Sequence, residues 1–124
     1  MATSPSGFVD RGKGKSKSDQ NFYSVQTGIV AFNAGGQASA TPLTAQNCFV
    51  LTVGTGGTSS VKLPAAQAGM EITVINQSAA VGGVIVFPQT GETINGQAAN
   101  ASVTQAVTSV LIFYCGIQGA WWTK

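Results

Sequence analysis

The sequence predicts an all-β protein: a compact antiparallel β-sandwich or jelly-roll-like domain over about residues 21–124, with an extended N-terminal arm over 1–20. Three observations predict it. Short apolar runs recur roughly every 8–12 residues between Gly, Pro, Asn and Ser punctuation. Residues Met70–Asn76 alternate strictly, with Met70, Ile72 and Val74 on one side and Glu71 and Thr73 on the other, which is the period of a half-buried strand. The one helix candidate, Ala65–Gly69, is too short to shape the fold.

Each element has its own signal. Tyr23–Val25 and Gly28–Asn33 read as the first strands, closed by a Gly35-Gly36 turn. Cys48–Val53 follows, with Phe49, Leu51 and Val53 expected on one face. Gly54-Thr55-Gly56-Gly57 turns the chain, and Ser60–Leu63 is expected to pair after it until Pro64, which lacks a ladder donor, stops the strand. Gly82-Gly83 leads into Val84–Phe87, apolar on both faces and ended by Pro88. Thr93–Ile94 is short, and Asn95-Gly96 is a strong turn signal. Val107–Gly116 is the longest predicted strand, and Gly119 turns it into a last one, Ala120–Thr123. About eight strands result, with no convincing internal repeat.

Composition narrows the function. The chain has 124 residues, 44% of them hydrophobic and only 8% charged, with no histidine, four carboxylates and two cysteines. No Ser-His or Cys-His nucleophile, no His-containing metal site and no four-cysteine zinc site can be assembled from that inventory. The sequence therefore implies a protein that holds or binds something, without catalytic residues, metal or cofactor. Six of the ten charges fall between Asp10 and Asp19, so the net +2 belongs to the arm. The rest carries only Lys62, Glu71, Glu92 and Lys124. A neutral body suggests a surface covered by other copies or partners, because soluble monomers keep their charge away from zero. The longest apolar run, Val110–Cys115, is far short of a spanning helix, and the N-terminus lacks the apolar stretch of a signal peptide. Cys48 and Cys115 are accordingly expected to be reduced and buried, a bridge between them being the alternative.

Several motifs fail their own requirements. Gly14-Lys15-Ser16 lacks the earlier glycine of a phosphate-binding loop and the helix that should follow. Gly54-Thr55-Gly56-Gly57 is a hairpin-type turn rather than a dinucleotide fingerprint. Glu71 and Glu92 could pair as glycosidase acids only if held ~5–10 Å apart, and Glu71 sits at an outward strand position. The arm's cations could touch phosphates, but no stacking aromatics are interleaved with them. An arm expected to be flexible, ordering on an acidic protein surface with Phe8-Val9 as apolar anchor, fits better. Trp121 and Trp122 must point to opposite faces of a strand, one into the core and the other to the surface or an interface.

A series of motifs runs through the second half: Val61-Lys62-Leu63-Pro64-Ala65-Ala66, Gly69-Met70, Val74-Ile75-Asn76, Val86-Phe87-Pro88-Gln89-Thr90-Gly91, Ile94-Asn95-Gly96, Phe113-Tyr114 and Trp121-Trp122. In their order and spacing, residues 58–124 resemble a module of small virion-surface proteins of tailed bacteriophages, of the capsid-decoration or head-fibre kind. The resemblance implies a β-rich trimerising unit that decorates a capsid, head fibre or tail. Residues 1–57 carry no such resemblance.

The expected function is that of a non-enzymatic capsid decoration (cement) protein. It would bind the outer surface of a phage head as a homotrimer, after synthesis in the host cytoplasm. Its partners would be itself and the major capsid protein, with no membrane and no nucleic acid. Phe8, Arg11, Lys13, Lys15 and Lys17 form the expected capsid-binding arm. Val110, Ile112, Tyr114 and Trp122 form the expected oligomer or partner interface. The alternatives are a fibre or tail-associated receptor-binding module that holds host glycan through its exposed Trp, and a nonspecific nucleic-acid binder that uses the basic arm.

Overall fold

Residues 24–124, the part of the chain described by a computed structural model, form ten strands and a single turn of 3-10 helix at Gln37–Ser39. The strands are β1 (Val25–Ala31), β2 (Thr41–Pro42), β3 (Asn47–Val53), β4 (Ser60–Lys62), β5 (Glu71–Asn76), β6 (Val84–Phe87), β7 (Thr93–Ile94), β8 (Val103–Gln105), β9 (Ser109–Ile117) and β10 (Ala120–Thr123). They make two sheets, in the orders β1-β3-β5-β9-β10-β7 and β2-β4-β6-β8. The protein is all-β, as expected.

The expected antiparallel, jelly-roll-like connectivity is corrected. β1, β3 and β5 pair parallel in the larger sheet, and β2, β4 and β6 pair parallel in the smaller one. Among the described residues, antiparallel pairing between strands is confined to β5–β9, β9–β10 and β6–β8, with one isolated antiparallel bridge between Phe32 and Ser60. The chain therefore passes from large sheet to small sheet and back four times, and the first three outward passes, β1–β2, β3–β4 and β5–β6, stack in parallel one on the next. Ser60–Leu63 does not pair back on the preceding strand; β4 belongs to the opposite sheet. The Asn95-Gly96 turn is real, with φ of 56° and 72°, but β7 pairs parallel with β10 rather than closing a hairpin.

Three stacked passes amount to a structural repeat where the sequence displays none. Val25 lies opposite Asn47, 22 residues on, and Asn47 lies opposite Thr73, 26 residues on. The irregularities in β1, where Gly28 takes φ 65°, do not cause the difference, since the offset is 22 residues on both sides of them; it comes from the longer stretch between β3 and β5 than between β1 and β3. A variable period hides the repeat from any fixed-window comparison.

The core fills the space between the sheets. Ile29, Ala31, Val50, Ile72, Val74, Phe113 and Trp121 from the large sheet meet Val61, Val84 and Val86 from the small one. On β5 the expected alternation holds: Ile72 and Val74 are buried, Met70 packs partly against them, and Glu71 is exposed. On β3 the expected single face is split. Cys48 and Val50 face the core, Phe49 is half-buried and Leu51 is 56% exposed, so Phe49 and Leu51 share the outer face while Val53 is buried. Two buried amides pin the closing strands. Gln105 Nε2 donates to Val74 O at 2.8 Å and Ser109 O at 3.1 Å, and Asn76 Nδ2 donates to Ala106 O at 3.0 Å.

The turns stack as closely as the strands. A Cβ on Gly56 would lie 1.7 Å from Val81 O, and one on Gly83, at φ 70°, would lie 2.1 Å from Gln105 O. Only glycine lets successive turns approach at this spacing. The cysteines are buried and free, and Cys48 Sγ donates to Ala45 O at 3.2 Å. Burial pushes the Cys48 thiol above its ordinary value. Cys48 on β3 and Cys115 on β9 are separated by β5, which puts their Cα atoms at least about 9 Å apart at normal strand spacing, beyond the reach of a disulfide. No helix among the described residues is long and apolar enough to cross a membrane.

Candidate functional site

The outward side of the large sheet is the candidate site. In a sheet whose inner face is buried, alternate residues must point away from the core. Here many of those residues are apolar. Register aligns them into rows. One row runs Phe49–Ile75–Val110 across β3, β5 and β9. The next runs Asn47–Thr73–Ile112 across the same strands. The third runs Glu71–Tyr114–Trp122 across β5, β9 and β10. All four expected interface residues, Val110, Ile112, Tyr114 and Trp122, therefore share one face. Val110 is 60% exposed, Tyr114 41% and Trp122 50%, while Ile112 is half-buried.

Phe49, Leu51 and Ile75 extend the same surface and were not anticipated. The signal existed in the sequence: β3 is apolar at nearly every position, so its face cannot be chosen from periodicity alone. The choice is made by β5, whose strict alternation sets the register of its neighbour.

The face divides into two halves. The apolar half contains Phe49, Leu51, Ile75 and Val110. The polar-aromatic half lies toward the start of β3 and β5, where Gln46, Asn47, Glu71 and Thr73 line a cleft of about 110 Å³. Thr73 N donates to Gln46 O at 2.7 Å, which ties the cleft floor to the loop before β3. Lys124 Nζ sits 2.9 Å from Glu71 Oε2 and 5.3 Å from the centre of the Tyr114 ring. The Glu71 hydrogen bond, and then its charge, push the Lys124 ammonium above its ordinary value. The Trp122 ring lies against the Asn95-Gly96 turn, since a Cβ on Gly96 would come 3.3 Å from its Cη2. Trp121, one residue earlier, is completely buried, so the two tryptophans divide between core and surface.

The body carboxylates are both in structural use. Glu71 is paired with Lys124, and both oxygens of Glu92 accept from Ala66 N, at 3.2 and 3.0 Å, which fastens the loop after β4 to the turn before β7. Among the described residues no cluster of three or more His, Cys, Asp or Glu could hold a metal ion. The expected capsid-binding arm, Phe8, Arg11, Lys13, Lys15 and Lys17, lies outside the described residues. The chain matches no protein-family model, and comparison with curated proteins and with solved structures finds no match.

Proposed function

We propose that the protein is a non-enzymatic structural component of a phage virion, a decoration protein that binds the outside of the head as a homotrimer. The observation that carries this reading is the apolar half of the outer face of the large sheet, Phe49, Leu51, Ile75 and Val110, on a body whose four charges sum to zero. Exposed large apolar side chains gathered on one face mark interaction sites more often than scattered ones do. Copies without net body charge meet without mutual repulsion. The resemblance of residues 58–124 to virion-surface modules supplies the setting. The arm would attach the assembly to the shell protein: Phe8 as apolar anchor, with Arg11, Lys13, Lys15 and Lys17 along acidic surface. Three arms on one trimer multiply a modest affinity without any new contact.

The experiment is a binding isotherm on emptied, nuclease-treated heads that lack the protein, run beside sedimentation of the full chain. Saturable binding by a particle of three chains is expected, and Lys13, Lys15 and Lys17 changed together to Glu should weaken it at least about tenfold. A monomer at micromolar concentration, or binding to free duplex DNA in preference to heads, would overturn the reading.

A further inference from the structure

We propose that the end of the large sheet where the chain enters it, carrying Tyr114, Ile117 and Trp122, docks on the shell protein, and that it is a separate surface from the one that joins copies. The proposal rests on the decoration reading and divides its outer face into two interfaces.

The large exposed apolar side chains sort into two groups. Val30, Phe32, Leu51, Val81, Val107 and Val110 lie toward the end where β1, β3 and β5 finish and β9 starts. Val25, Tyr114, Ile117 and Trp122 lie toward the opposite end, with Ile117 73% exposed beside the β9–β10 turn. Between the groups runs the row Asn47–Thr73–Ile112, half-buried and led by an amide and a hydroxyl. Those polar side chains interrupt the apolar surface, so each group is a patch of its own.

The point where the chain enters the sheet selects the occupant of the second patch. Ser24 O accepts from Asn47 N at 3.1 Å and Ser24 Oγ accepts from Gln46 N at 3.1 Å, so residues 1–23 leave from this end. Lys17 precedes Ser24 by seven residues, and a fully extended chain spans at most about 3.5 Å per residue, which keeps its backbone within ~25 Å of Ser24. Strand spacing puts Tyr114 on β9 about 14 Å and Trp122 on β10 about 19 Å from β1, inside the same radius. An acidic surface that holds Lys17 is thereby kept within reach of Tyr114 and Trp122, and the arm raises its local concentration there.

The side chains at this end suit such a partner. Trp and Tyr carry a large share of the energy at protein interfaces. The Asn95-Gly96 turn steadies the Trp122 ring, which lowers the cost of ordering it against a partner. Gln46 and Asn47 supply hydrogen-bonding groups nearby, and the Glu71–Lys124 pair leaves no net charge. The surface that fits has an apolar pocket for Trp122 with a polar rim, and its acidic side chains lie outside that pocket, where the arm's cations meet them. The other patch, around Leu51 and Val110, is left for contact between copies.

Photo-crosslinking on emptied, nuclease-treated heads tests the division, beside a binding isotherm of the unmodified full chain. Ile117→p-benzoylphenylalanine is expected to join the chain to the shell protein, and Leu51→p-benzoylphenylalanine to join chain to chain. Trp122→Ala should weaken head binding at least about tenfold while sedimentation still shows a trimer. Ile117→Ser takes its place should Trp122→Ala misfold by circular dichroism. No shell product from position 117, a crosslink from it to residues 1–23 of its own chain, shell products from position 51, or head binding unchanged in the folded variant would each overturn this proposal and leave the decoration reading standing. An unmodified chain that fails to bind heads overturns the decoration reading, and this proposal with it.

Discussion

Trp121 and Trp122 are adjacent in sequence and opposite in environment. Trp121 is fully enclosed between the sheets; Trp122 stands half-exposed on the outer face. The same contrast runs along β9, where Phe113 and Cys115 are buried while Val110 and Tyr114 are exposed. Both faces of the large sheet carry apolar residues, but among the described residues only the inner face is covered. The inner face stabilises the fold. The apolar part of the outer face, Leu51 and Val110 above all, stays exposed among the described residues.

The largest expected effect breaks the inner face. Trp121→Ala should cost about 3–5 kcal/mol and lower the denaturant midpoint severely, whereas Trp122→Ala should stay within about 0.5 kcal/mol in dilute, dissociated protein. Equal losses at the two positions would erase the distinction between the faces.

The second prediction sharpens the outer face. Val110→Asp puts a charge in the centre of the apolar half. It should leave the monomer's circular dichroism unchanged and weaken self-association about 100-fold by sedimentation, the equivalent of burying a charge without a partner at about 2–3 kcal/mol. Unchanged association would place the interface elsewhere.

The third lies between core and surface. Glu92→Gln keeps the shape of the side chain but loses the charge-assisted pair of contacts to Ala66 N, so a stability loss of about 1–2 kcal/mol is expected in urea unfolding. A larger loss would mean that this clasp, rather than the core, holds the β4–β5 loop.

The smallest effect concerns Lys124 and Glu71. The ammonium is raised in the folded state, so its contribution is fully present below its ordinary value of 10.5 and is lost as pH rises through the higher folded value. The pair is exposed, so salt should screen it. Melting temperature should be flat through neutral pH and lose this increment only above about pH 10.5, with Glu71→Gln removing the dependence.

Local chemistry makes much of this legible in the amino-acid sequence alone. The strict alternation of Met70–Asn76, the Asn95-Gly96 turn, the prolines after β4 and β6 and the division of labour between Trp121 and Trp122 follow from strand periodicity and backbone stereochemistry, which act over a few residues. The same local rules fail at β3. Cys48–Val53 is apolar almost throughout, so its orientation is a matter of which strand it pairs with, and that strand lies more than twenty residues away. Parallel stacking is hidden for the same reason. Turn residues report a reversal of direction, but the Gly54–Gly57 turn sends the chain to the opposite sheet, and only the enclosure of the core between two sheets decides that. The joining of Phe49, Ile75 and Val110 into one surface, and of Gln46 with Glu71 into one cleft, is likewise a product of register, because hydrogen-bonded pairing brings together residues whose separation in sequence carries no signal of their neighbourhood.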